Sequence, residues 1–280
     1  MNTRRKPDWL KIKLPKSSNF TKVNQIIKAN NLHTICTSGK CPNMGECWDA
    51  GTATLMILGD ICTRSCKFCA VTTGKPLPPD TNEPIKIARS VKLLNLKHCV
   101  LTSVDRDDLE DKGSEIWANT VIEIKKLNPN TTIETLIPDF DGIEKFIQKV
   151  IDARPEVISH NLETVRALSP QIRTRAEYDR SLSVLEYIAK QGITAKSGIM
   201  LGLGETEEQV METIDDLRAV NCSVLTIGQY LQPTKQNIEV KEYVHPDIFE
   251  KYRKYALKKG FKFVESSPLV RSSYHAEKHV

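Results

Sequence analysis

No apolar run in this sequence approaches the ~20 residues that a membrane-spanning helix requires; the longest stretch, around residues 53–58, is far shorter. No apolar segment near Met1 has the character of a secretory signal. Arg4, Arg5 and Lys6 are followed at once by Pro7 and Asp8, which leaves no room for an amphipathic transit helix. A cytoplasmic protein without a membrane partner is therefore expected. Blocks of basic residues are also missing. Lys and Arg number 40 against 35 Asp and Glu, with the small excess spread along the chain, so no nucleic-acid partner is expected. An acidic protein partner is compatible with that balance. With no internal repeat and no low-complexity tract, the 280 residues, 40% of them hydrophobic, can build one large core with extensions.

Cysteine is what the chain has in abundance. Six of its 8 cysteines fall between residues 36 and 69, too crowded for a general disulfide framework, so metal binding leads. Cys62-x3-Cys66-x2-Cys69 supplies three thiolates with unequal spacing and no adjacent fourth ligand, unlike the paired knuckles of structural zinc. In a four-iron cluster each of the three would hold one iron, leaving one iron open to a small molecule that needs an electron. Cys36-x4-Cys41-x5-Cys47 is a second group of three, again without a local fourth ligand. Two iron–sulfur clusters explain both groups better than two incomplete zinc sites. Cys99 and Cys222 sit in apolar strand patterns and read as core residues.

Beyond residue 52 the pattern alternates short β-rich runs with helical periodicity. Strands are expected over residues 52–58, 99–103, 132–137, 156–159, 194–201 and 223–227. Helices are expected over 85–96, 114–127, 142–153, 176–191 and 206–220, and a further one over 245–259 that begins beside Pro246. Serial strand–helix units form parallel sheets with right-handed crossovers. The expected fold class is α/β, a partial (β/α)6 TIM-like barrel with N- and C-terminal extensions; a doubly wound open sheet is the alternative. The division is 1–52 as the N-terminal extension, 53–230 as the barrel and 231–280 as the C-terminal extension. The Cys62 loop follows the first strand, where a barrel places its active-site mouth.

At these cysteines the chain resembles the radical S-adenosylmethionine enzymes, and more narrowly the lipoyl synthase family. The resemblance runs through Cys41-Pro-Asn-Met-Gly-Glu-Cys47-Trp, Leu58-Gly-Asp-Ile-Cys62-Thr-Arg-Ser-Cys66-Lys-Phe-Cys69, His160-Asn-Leu-Glu-Thr164, Lys196-Ser-Gly-Ile-Met-Leu-Gly-Leu-Gly-Glu205 and Pro268-Leu-Val-Arg-Ser-Ser-Tyr-His-Ala276. It implies a sulfurtransferase with two [4Fe-4S] clusters. The cluster on Cys62, Cys66 and Cys69 would cleave S-adenosylmethionine to a 5′-deoxyadenosyl radical. The auxiliary cluster on Cys36, Cys41 and Cys47 would give up sulfur at C6 and C8 of a protein-bound octanoyl-lysine chain. The resemblance also implies Ser273 as the auxiliary cluster's fourth ligand, with Ser272 as the neighbouring alternative. A serine oxygen is a harder ligand than thiolate and a plausible release point. Implied partners are octanoylated carrier domains, either a dehydrogenase-complex E2 or a glycine-cleavage H protein, an electron donor such as flavodoxin or ferredoxin, and an iron–sulfur carrier protein.

Other residues carry two readings each. Ser103, Asp105 and Arg106 follow the second strand and suit the cofactor's amino and carboxylate ends, while Asp105 to Asp108 equally suit a solvated acidic loop. Asn161 and Glu163 could meet ribose hydroxyls or cap a helix. Gly202 and Glu205 close a Gly-rich turn that lies against the cofactor in the family, or is a plain strand-to-helix turn. Lys196 is expected to point into the barrel as a cofactor contact. Arg271 either fixes the terminal loop or binds the octanoyl amide region.

Overall fold

A computed structural model describes residues 6–11, 18–29, 32–49 and 54–280. Arg4, Arg5, the start of the first expected strand and the 52/53 boundary lie outside the described residues. In chain order the strands are β1 (His33–Thr34), β2 (Thr54–Ile57), β3 (Ile61–Cys62), β4 (Thr72–Thr73), β5 (His98–Ser103), β6 (Thr132–Leu136), β7 (Val157–Ser159), β8 (Thr194–Leu201), β9 (Val224–Gln229) and β10 (Phe263–Ser266). The helices are α1 (Ser18–Ala29), α2 (Ile35–Ser38), α3 (Met44–Asp49), α4 (Glu83–Leu94), α5 (Ser114–Leu127), α6 (Glu144–Asp152), α7 (Ser169–Ile172), α8 (Tyr178–Lys190), α9 (Glu207–Ala219) and α10 (Pro246–Lys258).

Strands β2, β5, β6, β7, β8, β9 and β10 are parallel in that order, and β1 adds antiparallel to β2. Strand β2 is buried at every position and β9 likewise, as strands covered on both faces must be. The helices between them are amphipathic. In α6, Phe146, Ile147, Val150 and Ile151 form one buried face, and α9 starts on a capping box between Thr206 and Gln209. The six expected strands and the helices between them form within a few residues of their expected bounds. Helix α10 forms as well, on a His245 cap with Pro246 in its first turn.

The longest strand that the sequence pattern does not show, with its four residues, is β10. Strand β10 pairs with β9, so the C-terminal region adds a seventh parallel strand to the sheet. It is short and its Phe263 is exposed, as at a sheet edge, and no alternation marks it in the sequence. Short β1, β3 and β4 and helices α1, α2, α3 and α7 were likewise not legible.

The main core lies between the sheet and its helices and contains Cys99 and Cys222, both fully buried. A second cluster packs Val23 and Ile27 of α1 against Cys36 and Trp48. Among the described residues no helix is long and apolar enough to cross a membrane.

Candidate active site

The chain leaves β2 through a left-handed turn at Leu58 and Gly59 (φ 67° and 90°). Glu83 accepts a hydrogen bond from the Leu58 N–H at 2.8 Å, fixing the turn. Strands β3 and β4 then clasp the cysteine loop, Gly74 N–H donating to the Cys62 carbonyl at 3.0 Å. Asn237, from the C-terminal region, donates from Nδ2 to the Cys69 carbonyl at 2.8 Å. All three thiols are free. The Cys62 sulfur accepts N–H bonds from Arg64 and Asp105 at 3.4 and 3.3 Å, and Cys69 accepts from Val71 at 3.5 Å. Such N–H···S bonds stabilise thiolate ligands of iron–sulfur clusters. Burial pushes the Cys62 thiol up to about 12 and Cys69 up to about 11, and raises Cys66 too. Low-dielectric thiols of this kind hold charge well only against a bound cation. Among the described residues no three His, Cys, Asp or Glu side chains converge as ligands of one metal ion would. Three thiol donors on one loop are the ligand type that iron–sulfur clusters take.

Behind the loop lies a charge network that the spacing of the cysteines did not reveal. Arg64, between Cys62 and Cys66, is buried and forks onto Asp107 at 2.8 Å through both Nε and Nη2. Its Nη2 also reaches Asp139 at 2.8 Å and Asp141 at 3.4 Å, and Nε stands 3.4 Å from Asp105. Burial opposes its charge, but Asp107, Asp105 and Asp139 reverse the effect and raise its pKa. For Asp139 burial also works against the charge, yet Arg64 draws it down to about 2. Asp105 behaves in the opposite sense: burial outweighs Arg64 and lifts it to about 6.

The residues expected to meet a cofactor divide on their contacts. Ser103 ends β5, while Asn161 and Glu163 follow β7 and lie against each other. The Ser103 hydroxyl and the Asn161 Oδ1 are buried polar atoms without a partner among the described residues. Glu163, at φ 66°, lies close enough to Cys66 and Cys69 to raise both thiols, and burial raises its own carboxyl. Gly198 makes room here: a Cβ would stand 2.5 Å from Thr226 Oγ1 and 3.0 Å from Asn161 Oδ1.

The others are engaged by protein. Arg106 is buried, forked onto Asp108 at 2.9 Å, and donates to the carbonyls of Leu58 and Leu77. It clamps two loops. Asp105 bears on Cys62, its Oδ2 3.7 Å from the sulfur. Lys196 does point into the barrel, where it pairs with Glu134 instead of facing the mouth. Glu205 accepts the N–H bonds of Gly202 and Leu203 at 2.5 and 2.9 Å. Gly202, at φ 92°, is required by packing, since a Cβ would stand 2.2 Å from Gln229 Nε2 and 2.3 Å from the Glu242 carbonyl oxygen.

Cys36 lies in α2, which Thr34 caps, and Cys47 in α3. Between them Cys41 donates its N–H to the Cys36 carbonyl at 3.0 Å. Burial raises the Cys36 and Cys41 thiols. The C-terminal segment folds onto this group. Asn43 Nδ2 donates to the Leu269 carbonyl at 2.6 Å, and the Tyr274 hydroxyl donates to Glu46 at 3.2 Å. Thr54 is the meeting point: its backbone lies against the Cys36 sulfur, and its hydroxyl donates to Ser273 Oγ at 2.9 Å. Ser272 turns the other way, accepting from Asn161 Nδ2 at 2.9 Å. Arg271 carries its charge close to Cys41.

A family model described as the radical SAM superfamily matches residues 56–217. A lipoyl synthase of Parabacteroides distasonis is 63% identical over 99% of this chain and 98% of its own length. A lipoyl synthase of Treponema denticola is 63% identical over 99% of this chain and 95% of its own. Among solved structures, Streptococcus suis SuiB bound to S-adenosylmethionine aligns with a TM-score of 0.59 at 16% identity, over 77% of this chain and 52% of that one. Methylornithine synthase (PylB) aligns at 0.56 and 12%, over 89% and 85%. Both show the same partial-barrel fold.

Proposed function

Since the chain belongs to the lipoyl synthases of the radical SAM superfamily, we infer that it inserts two sulfur atoms, at C6 and C8, into an octanoyl chain held on a lysine of a carrier domain. The observation that carries this reading is the placement of the two thiol groups. Cys62 follows the C-terminal end of β2, while Cys36 and Ser273 meet at Thr54, the N-terminal end. About 10 Å of strand separates those ends.

In this reading Cys62, Cys66 and Cys69 hold the catalytic [4Fe-4S] cluster, and Cys36, Cys41, Cys47 and Ser273 hold the auxiliary one. When bound, the clusters and S-adenosylmethionine supply reductive cleavage of the cofactor, hydrogen removal from unactivated carbon, and sulfur. The chain's own residues do the positioning. Backbone N–H groups of Arg64, Asp105 and Val71 steady the thiolates, and the Arg64 carboxylate network fixes the loop. The Ser103 hydroxyl and Asn161 Oδ1, unpartnered among the described residues, offer with Glu163 polar contacts for S-adenosylmethionine. The expected division into residues 1–52, 53–230 and 231–280 assigns auxiliary-cluster binding to the two extensions. A dehydrogenase-complex E2 or a glycine-cleavage H protein as carrier, flavodoxin or ferredoxin as reductant, an iron–sulfur carrier protein and a cytoplasmic setting belong to the same proposal.

The test is anaerobic mass spectrometry of an octanoyl-lysine peptide incubated with protein, reductant and S-adenosylmethionine. Gain of two sulfurs is expected; cofactor cleavage with no sulfur in the peptide would contradict the assignment.

A further inference from the structure

Within the barrel sits a polar group with no evident part in holding either cluster. Lys196 and Glu134 face each other fully buried, both carboxylate oxygens 2.8 Å from Nζ. The Ser159 hydroxyl donates to Glu134 at 3.1 Å. A buried ion pair must recover the desolvation of two charges and is a weak source of stability by itself. Its further partner comes from the far end of the chain. The His279 ring is buried, with Nδ1 3.2 Å from Lys196 Nζ, and the Phe263 ring lies 5.8 Å away. An ammonium only donates, so Nδ1 is the acceptor and the imidazole is neutral. Burial and the neighbouring Lys196 charge keep it so, holding its pKa down at about 3. The other ring nitrogen, Nε2, has no partner among the described residues. Lys196 is therefore the ring's polar tether.

The segment that ends on this tether is a strap. At one end the Pro268 carbonyl accepts from Gln229 N–H at 3.2 Å, and the Val270 carbonyl presses on Gly228, where a Cβ would stand only 2.1 Å from its oxygen. Ser272 and Ser273 then reach Asn161 and Thr54. The chain passes through a left-handed His275 (φ 51°) into a single 3-10 turn, Ala276–Lys278, before His279. One 3-10 turn holds little order by itself. Ser273 thus lies between a fixing on β9 and a fixing on the buried ion pair.

We propose that His279 is a positioning residue: by accepting a hydrogen bond from Lys196 of the Lys196–Glu134 pair, it latches the C-terminal strap and holds Ser273 beside Cys36. The consequence for the auxiliary cluster rests on the reading of Ser273 given above; the latch rests on its own geometry.

Hydrogen–deuterium exchange on the anaerobic holoprotein, paired with iron retention under a chelator, separates the two. In His279→Ala, amides of residues 269–276 should exchange roughly tenfold faster, with β5 to β8 unchanged. The auxiliary cluster should lose iron faster while the Cys62 group keeps its iron. His279→Gln, whose side-chain oxygen can accept from Lys196, should restore both. Unchanged exchange over 269–276 overturns the latch, and so does a general acceleration across β5 to β8, which would mark a core defect. If Ser273→Ala loses auxiliary iron but His279→Ala does not, the positioning role is overturned. If Ser273→Ala keeps its iron, the ligand reading fails, and faster strap exchange in His279→Ala still supports the latch.

Discussion

Arg64 places one guanidinium among carboxylates from two separate strand-end loops, after β5 and after β6. It sits inside the cysteine motif, so its contacts set where the thiols stand. Removing it leaves the buried Asp139 and the partly buried Asp107 without their main countercharge, a loss of about 3–5 kcal/mol. Arg64→Ala is therefore expected to lower anaerobic urea stability by that order and to lose the Cys62-group iron selectively. Arg64→Lys should recover only part, because an ammonium cannot reproduce the fork on Asp107. Full iron in Arg64→Ala, measured per chain after reconstitution, would show that the loop is held by other contacts. Nothing in the spacing of Cys62, Cys66 and Cys69 announces this network, since its carboxylates are scattered over residues 105–141. The cysteine groups stand out because they cluster along the chain; Arg64 does not, because its partners are brought to it only by the fold.

Gly228 shows the same dependence at the level of elements. It lies in β9, and the Val270 carbonyl comes so near that any side chain would collide with backbone. Gly228→Ala is expected to push the strap off β9, costing about 1–3 kcal/mol and speeding exchange over residues 269–273. A crystal structure or exchange profile of the variant with the strap in place would contradict this. Strands β2, β5, β6, β7, β8 and β9 and the helices α4, α5, α6, α8, α9 and α10 were legible because each carries a clear period of its own. Strand β10 was not, because an edge strand with an exposed Phe263 lacks that pattern and is defined by pairing with β9. The Gly-rich turn after β8 has a packing reason that the sequence pattern does not show: Gly202 makes room for Gln229 and Glu242 of this chain.

Across the whole molecule, Cys36 of the N-terminal thiol group and Ser273 of the C-terminal segment converge on one end of β2, and the second thiol group follows the other end. Thr54 joins the first assembly from the barrel side. If Ser273 ligates the auxiliary cluster and must detach, Ser273→Cys should retain iron and cofactor cleavage but slow sulfur transfer. Ser272→Ala should leave transfer near normal, because that hydroxyl faces Asn161. Single-turnover assays on an octanoyl-lysine peptide distinguish them, and loss of transfer in Ser272→Ala alone would move the assignment by one residue.

The claim on which the rest depends is that the two thiol groups do different work. The direct measurement is a parallel assay of 5′-deoxyadenosine and of peptide-bound sulfur in Cys41→Ala and Cys66→Ala, each with its iron content determined. Cys41→Ala is expected to form 5′-deoxyadenosine without transferring sulfur, and Cys66→Ala to form neither product while keeping about half the iron. Sulfur in the peptide from a Cys41→Ala protein shown to lack the auxiliary cluster, or 5′-deoxyadenosine from Cys66→Ala, would contradict it.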